Sequence, residues 1–229
     1  MRLIHSVRSR PSHQGPKVAH IRLWLTATYD TWCACRGSGF GLSDCLWRVI
    51  QPRGMQIDDD IRWLVALVSD TGMRLAEAAG LSLSDFNLQG DIPFVEVRPH
   101  PWRSLKTSAS ARVIPLSGMA LWAAQKILQQ ADTSSYAFPR YNRGSRTCAN
   151  SASAAINKWL KNHVPEGCTM HSFRHSMRDR LRAVQCPADI ADQIGGWATN
   201  GVGQGYGSGC PIEVLMEWMG KTVAANQRQ

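Results

Sequence analysis

His171-Ser172-Phe173-Arg174-His175-Ser176-Met177-Arg178-Asp179-Arg180-Leu181-Arg182-Ala183-Val184 carries more information than any other segment of the chain. Phe173, Met177, Leu181 and Val184 recur at helical spacing, which predicts a helix over 171–184 with one buried stripe. His171 and Arg174 stand one turn apart, on a face other than that stripe. An imidazole that titrates near neutral pH and a fork of guanidinium donors therefore share one side of a helix. Three further segments complete a pattern around it. Thr71-Gly72-Met73-Arg74 lies far upstream, and Gly195-Gly196-Trp197 and Gly203-Gln204-Gly205-Tyr206-Gly207 lie downstream.

The same periodicity organises the rest. Ile57, Ile61, Leu64, Val65 and Val68 predict a helix that begins near Ile57, with Asp58-Asp59-Asp60 at its positive end. Asp70-Thr71-Gly72 stops it, and a short helix follows from about Arg74 to Ala79. Phe94–Val97 alternates as a strand, and residues 102–106 and Arg112–Pro115 read as two more, joined by Thr107-Ser108-Ala109-Ser110. Lys106 falls at the mouth of that hairpin. Helices dominate afterwards: 117–130 with Leu121, Ala124 and Leu128 on one face, then 150–162 with Ala152, Ala155, Ile156, Trp159 and Leu160. Pro187 suits the first position of a short helix reaching Ile194, and Pro211 opens a last one. The fold class expected is mainly α with a small antiparallel three-stranded sheet.

Composition bounds the function. The chain has 229 residues, enough for one ordinary domain with an appendage, and 44% of them are hydrophobic, as in a globular protein. It lacks a run of about eighteen apolar residues and a secretory signal, which points to a cytoplasmic protein without a membrane partner. The formal net charge of +9 favours a polyanionic partner. That charge is uneven. Residues 1–54 hold eight Lys and Arg against two acids, whereas 55–229 hold eighteen against fifteen. Local clusters must therefore carry the argument: Arg140, Arg143 and Arg146; Lys158 and Lys161; Arg174, Arg178, Arg180 and Arg182. Any one of them is also explained as a solvated face. The seven cysteines are odd in number and scattered, and Cys33-Ala34-Cys35 lacks zinc-site spacing, so reduced thiols are expected.

Phosphodiester cleavage by a nucleophile builds charge on the phosphoryl oxygens, and fixed cations lower its barrier. Arg74 and Arg174 supply planar, always charged forks. Glu77, one turn after Arg74, is placed to orient it. His171 is a candidate for proton exchange, Lys106 for protonating a leaving alkoxide, and Trp197 for donating from its indole N–H. Tyr206 sits among glycines that permit a mobile, phenol-bearing loop. Singly, each has an ordinary explanation: a surface ion pair, a capping histidine, a loop lysine, a core or lid tryptophan, a turn tyrosine. The glycine run fits neither the dinucleotide fingerprint nor the Walker A pattern, so a nucleotide cofactor is not expected.

Taken together, the order and spacing of these segments resemble the catalytic domain of the tyrosine recombinases, the phage integrase family, over roughly residues 57–222. Thr71–Glu77 looks like the family's first arginine box. Leu105-Lys106-Thr107 through Arg112-Val113-Ile114-Pro115-Leu116 looks like its lysine hairpin, and His171–His175 its His-x-x-Arg-His box. Gly195-Gly196-Trp197 stands where the family commonly has Leu-Gly-His, and Tyr206 follows nine residues later. The resemblance implies Tyr206 as nucleophile forming a 3′-phosphotyrosyl link, with Arg74 and Arg174 clamping the phosphate. Lys106 would protonate the leaving 5′-oxygen, His171 assist proton transfer, and Trp197 bond the phosphate or pack the site. It implies double-stranded DNA as partner and a homo-oligomer on DNA through an exchanged helix at 211–222. No metal and no ATP is implied.

The expected division is an atypical basic segment, 1–54, poorly ordered or non-native, followed by a catalytic domain, 55–229. Residues 1–54 are too short and unpatterned for the helical core-binding domain that family members usually carry, and a truncated or misframed gene start would explain them. Two other readings stand beside the recombinase: a DNA-binding remnant without catalysis, and a type IB topoisomerase sharing the phosphotyrosine chemistry.

Overall fold

The computed structural model describes residues 59–131, 133–164, 167–197 and 209–227. The segment 1–54, its boundary with the domain that follows, and Tyr206 all lie outside the described residues. What is described is mostly helical, with a small antiparallel three-stranded sheet, as expected. No helix among the described residues is long and apolar enough to cross a membrane.

The central helix, α1 (Asp60–Thr71), starts three residues later than its apolar pattern, because Asp59 is a better cap than Ile57. The Asp59 carboxylate accepts the Arg62 N–H at 3.0 Å. Every residue from Trp63 to Thr71 is buried, the apolar run Trp63–Val68 followed by the polar Ser69, Asp70 and Thr71. It packs against α2 (Leu75–Ala79), α3 (Gly118–Gln129), α4 (Ala149–Leu160) and α5 (Met170–Ala183). Gly72 ends it at φ +66°, and a Cβ there would meet Met177 Cγ at 2.9 Å. The chain thus turns sharply under α5, and this turn delivers Arg74 to the start of α2.

The buried polar end of α1 is tied to two other helices. Asp70 Oδ2 accepts the Met119 N–H at 2.8 Å at the start of α3, and Oδ1 accepts Arg180 Nη1 of α5 at 3.2 Å. Arg180 also donates to the Ser69 carbonyl. The 174–182 arginine cluster is therefore not a uniform solvated face. Arg180 is interior, Arg178 pairs with Asp192 at 3.4 Å, and Arg182 pairs with Asp179 at 3.2 Å.

The sheet runs β1 (Phe86–Asn87), β2 (Phe94–Val97), β3 (Arg112–Pro115), with Val95 opposite Ile114 and Val97 opposite Arg112. Residues 102–106, expected as a strand, are not one. Pro99 and Pro101 deny a ladder their N–H groups, and His100 and Arg103 instead exchange backbone hydrogen bonds of 3.0 Å in a tight turn. The third strand is β1, whose two residues offer no periodicity to read. Thr107 to Ser110 still connects into β3 and ends in a 3-10 turn over Ser108–Ser110.

Helix α3 buries Met119, Ala120, Ala123, Ala124 and Ile127, whereas Leu121 and Leu128, expected inside, are half-buried. Small alanines allow close approach to α1, and the larger leucines flank the contact. A two-residue hairpin, β4 (Asn142–Arg143) with β5 (Arg146–Thr147), carries exposed Arg143 and Arg146. Helix α6 (Ala188–Gly195) has Pro187 as its N-cap, one position before the expected one. The last helix, α7 (Ile212–Gln227), packs on β3 and α5 of its own chain and buries Leu215, Met219 and Thr222.

Breaking the buried Asp70–Arg180 pair from one side leaves an uncompensated charge. Asp70→Ala is expected to lower folding stability by about 3–5 kcal/mol, measured by urea denaturation. Adding Arg180→Met is expected to recover part of that loss, because the buried cation is removed together with its Asp70 counterion.

Candidate functional site

Three segments distant in sequence meet beside the N-terminal turn of α5. The first is the turn after α1. Arg74 is the N-cap of α2, and its backbone N–H donates to Glu77 Oε2 at 3.0 Å. Its Nη1 donates to Glu77 Oε1 at 2.6 Å and to Ser110 Oγ at 3.0 Å. The i,i+3 pair is no ordinary surface pair, since the Glu77 side chain is only 5% exposed. Its backbone is fixed as well: Arg103, buried beside Asp85, donates to the Glu77 carbonyl.

The second segment is the β2–β3 connection. Lys106 is exposed on it, just before the 3-10 turn. Thr107 Oγ1 and Ser110 Oγ share a hydrogen bond of 3.0 Å. Arg112, at the start of β3, turns its side chain inward. Nη2 donates to Glu77 Oε2 at 3.1 Å, Nη1 to the Ser110 carbonyl at 2.7 Å, and Nε to the Ile194 carbonyl at 2.9 Å.

The third comprises α5 and the end of α6. The Thr169 N–H donates to Ser172 Oγ at 3.1 Å, securing the first turn of α5. His171 is exposed there, its ring 4.8 Å from that of His175 and nearly perpendicular to it. Arg174 differs from expectation. It is 5% exposed and lies with Met177 and Leu181 on the buried side, not on a separate face. The carbonyls of Gly72, at 2.6 Å, and Gly196, at 3.4 Å, accept its guanidinium and make that burial tolerable. The Trp197 ring stacks close to two arginines, with Arg174 and Arg178 Cζ each 4.9 Å from its centroid. Gly195 and Gly196 are both required. A Cβ at Gly195 would strike the Trp197 ring at 2.1 Å, and Gly196 has φ +60° with Arg112 Nη1 2.6 Å from its would-be Cβ.

The ends of the segment bearing Tyr206 are fixed to α6. The Trp197 N–H donates to the Asp192 carbonyl at 3.0 Å. The Gln193 amide grips Cys210 from both sides: the Cys210 N–H donates to Oε1 at 2.8 Å and Nε2 donates to the Cys210 carbonyl at 3.0 Å.

The electrostatics are those of a cationic cluster in which Glu77 is the counterion among the described residues. Burial pushes Arg174 down to about 10, helped by Arg74 and Arg112 and opposed by Glu77. It remains a cation at neutral pH. Burial also lowers His171, followed by His175, Arg174, Arg74 and Lys106. Arg174, Arg74 and Lys106 each act on His171, and Arg74 acts on Arg174. His171 is held toward its neutral form, which can take up a proton. For Glu77, burial raises the pKa, but Arg112 and Arg74 together outweigh it and leave the group below its ordinary value.

The spacing of Glu77 from Arg74 was a readable signal; the role of Arg112 was not. In Arg112-Val113-Ile114 either alternate set fits an inner face, and the structure puts Arg112 and Ile114 inside, with Val113 half-exposed. Ser110 gave no signal at all.

The phage integrase family profile matches residues 54–207, two thirds of the chain. The chain belongs to the phage integrase family. No curated protein matches it. Among solved structures, the XerH site-specific recombinase bound to difH substrate in a pre-cleavage complex is similar with TM-score 0.47 at 17% identity, over 67% of this chain and 45% of that one. Its post-cleavage complex on palindromic difH gives 0.48 at 16%, over 80% and 49%. The Tn1549 transposon integrase with circular intermediate DNA gives 0.45 at 16%, over 76% and 61%. The chain thus spans between 45% and 61% of the length of these structures.

Because the folded pKa of Glu77 is depressed from 4.5, its ionised form stabilises the fold above that pH, and the contribution is lost as pH falls through the folded value. Glu77→Gln resembles the protonated state. The stability difference between wild type and Glu77→Gln is expected to be constant above pH 4.5 and to shrink below it, read from denaturation curves at a series of pH values.

Proposed function

We propose that this chain performs the strand-cleaving and rejoining chemistry of a site-specific DNA recombinase. The observation that supports it most is the pocket's charge: Arg74, Arg112 and Arg174 act on one another with Glu77 as the carboxylate among them, and His171 and Lys106 stand at its edge. Such an excess of fixed positive charge suits the oxygens of a phosphodiester as charge builds on them.

In this reading the phenol oxygen of Tyr206 attacks the scissile phosphorus while the bond to the 5′-oxygen breaks. The product is a 3′-phosphotyrosyl link and a 5′-hydroxyl. Neutral His171 accepts the phenolic proton, and Lys106 gives one to the departing 5′-oxygen. Arg74 and Arg174 bond the non-bridging oxygens, and Trp197 holds Arg174 in place through its ring face. The link keeps the energy of the broken bond, so the 5′-hydroxyl of another strand can reverse the step. Duplex DNA is the partner. Use of α7 by a neighbouring copy belongs to this proposal through the family resemblance; in the structure the helix packs on its own chain.

A pool of nicked duplexes of random sequence, in which the cleaved strand loses its 5′ fragment, tests the reading. The wild-type chain is expected to become covalently attached to DNA 3′ ends, and Tyr206→Phe is expected to form no adduct, on a denaturing gel. Arg174→Ala is expected to slow adduct formation by ~10²–10³-fold, as for loss of one charge-stabilising donor. DNA binding by the wild type without any adduct would reduce the chain to a binding module.

A further inference from the structure

We infer that Arg112 is a positioning residue that sets the three segments of the pocket in register. One guanidinium, with its side chain 4% exposed, reaches all of them: Glu77 on the arginine turn, the Ser110 carbonyl beyond Lys106, and the Ile194 carbonyl before Trp197. These partners are 35, 2 and 82 residues away in sequence.

Two of the three partners of Arg112, Glu77 and Ser110, are also partners of Arg74. Glu77 holds Arg112 with Oε2 and Arg74 with Oε1. Ser110 holds Arg112 with its carbonyl and Arg74 with its hydroxyl. Gly196 meets both Arg112 and Arg174: its carbonyl accepts from Arg174, and its Cα is bare where the Arg112 guanidinium passes. A shift of Arg112 therefore moves Arg74, the Lys106 loop and the Gly196–Trp197 turn together.

Lysine cannot replace it in this role. An ammonium on a flexible stem is a point charge and cannot reproduce a planar fork aimed at three acceptors. Arg112→Lys keeps the charge opposite Glu77 and loses the geometry. This inference rests on the recombinase reading only for its kinetic consequence. The register itself has a readout in the DNA-free protein, because burial, His175, Arg174, Arg74 and Lys106 together hold His171 below its usual range.

The experiment has two arms. In the first, the imidazole of His171 is titrated by NMR in the DNA-free chain, wild type against Arg112→Lys, with unfolding curves to establish that both are folded. Arg112→Lys is expected to raise the His171 midpoint toward the ordinary imidazole value, as its cationic neighbours lose their fixed positions. An unchanged midpoint in folded Arg112→Lys overturns the inference. Should Arg112→Lys not fold, Arg112→Met combined with Glu77→Gln removes both charges of the pair and is judged by the same criterion, with Glu77→Gln alone as reference.

In the second arm, DNA affinity and the first-order rate of adduct formation are measured on the nicked duplexes. Arg112→Lys is expected to bind DNA within about threefold of wild type while the rate falls roughly 10²-fold, the scale of a small misplacement of reacting groups. Equal rates overturn the inference. A wild-type chain that forms no adduct counts against the recombinase reading and leaves the His171 comparison intact.

Discussion

The Glu77 carboxylate accepts two guanidiniums at once, Arg74 on one oxygen and Arg112 on the other, and it does so almost out of contact with water. A buried carboxylate is costly unless it is paired and hydrogen-bonded. Here the pairing reverses the effect of burial and keeps Glu77 ionised. The consequence reaches beyond one ion pair. Arg74 belongs to the turn after α1 and Arg112 to β3, so the carboxylate joins the helical part of the fold to the edge of its sheet. Cations crowded without such an anchor would repel one another out of the pocket. Anchored, the three guanidiniums of Arg74, Arg112 and Arg174 stay together around one carboxylate among the described residues.

Beneath this pocket a second carboxylate does related work for the fold. Asp70 caps α3 and pairs with Arg180, so three helices are registered at one buried point. The two acids sit on either side of the Gly72 turn. Asp70 fixes the end of α1 and its distance to α5, and Glu77 fixes where Arg74 emerges after the turn. Arg174 is held between these levels by the Gly72 carbonyl, so the position of one buried cation is set by the backbone of the segment that carries Arg74.

Much of this was legible in the residues. The long helices announced themselves through apolar spacing, and of the side chains singled out Arg174 meets Trp197 and, through the Gly72 carbonyl, the turn that carries Arg74. The errors have physical reasons. Residues 102–106 were read as a strand of the hairpin, but the flanking prolines and the inward Arg103 make them a turn. Strand β1 is too short to have a period. The apolar spacing from Phe173 sets Arg174 on another face, and the carbonyls of Gly72 and Gly196, invisible to spacing arguments, are what let it lie inside. Arg112 was hidden by its neighbours, since a strand reading Arg-Val-Ile-Pro does not declare which alternate side chains face inward.

The Gln193 clamp on Cys210 and the Trp197 bond to Asp192 anchor both flanks of residues 198–208 to adjoining positions of one short helix. Any displacement of α6 therefore carries both anchor points with it.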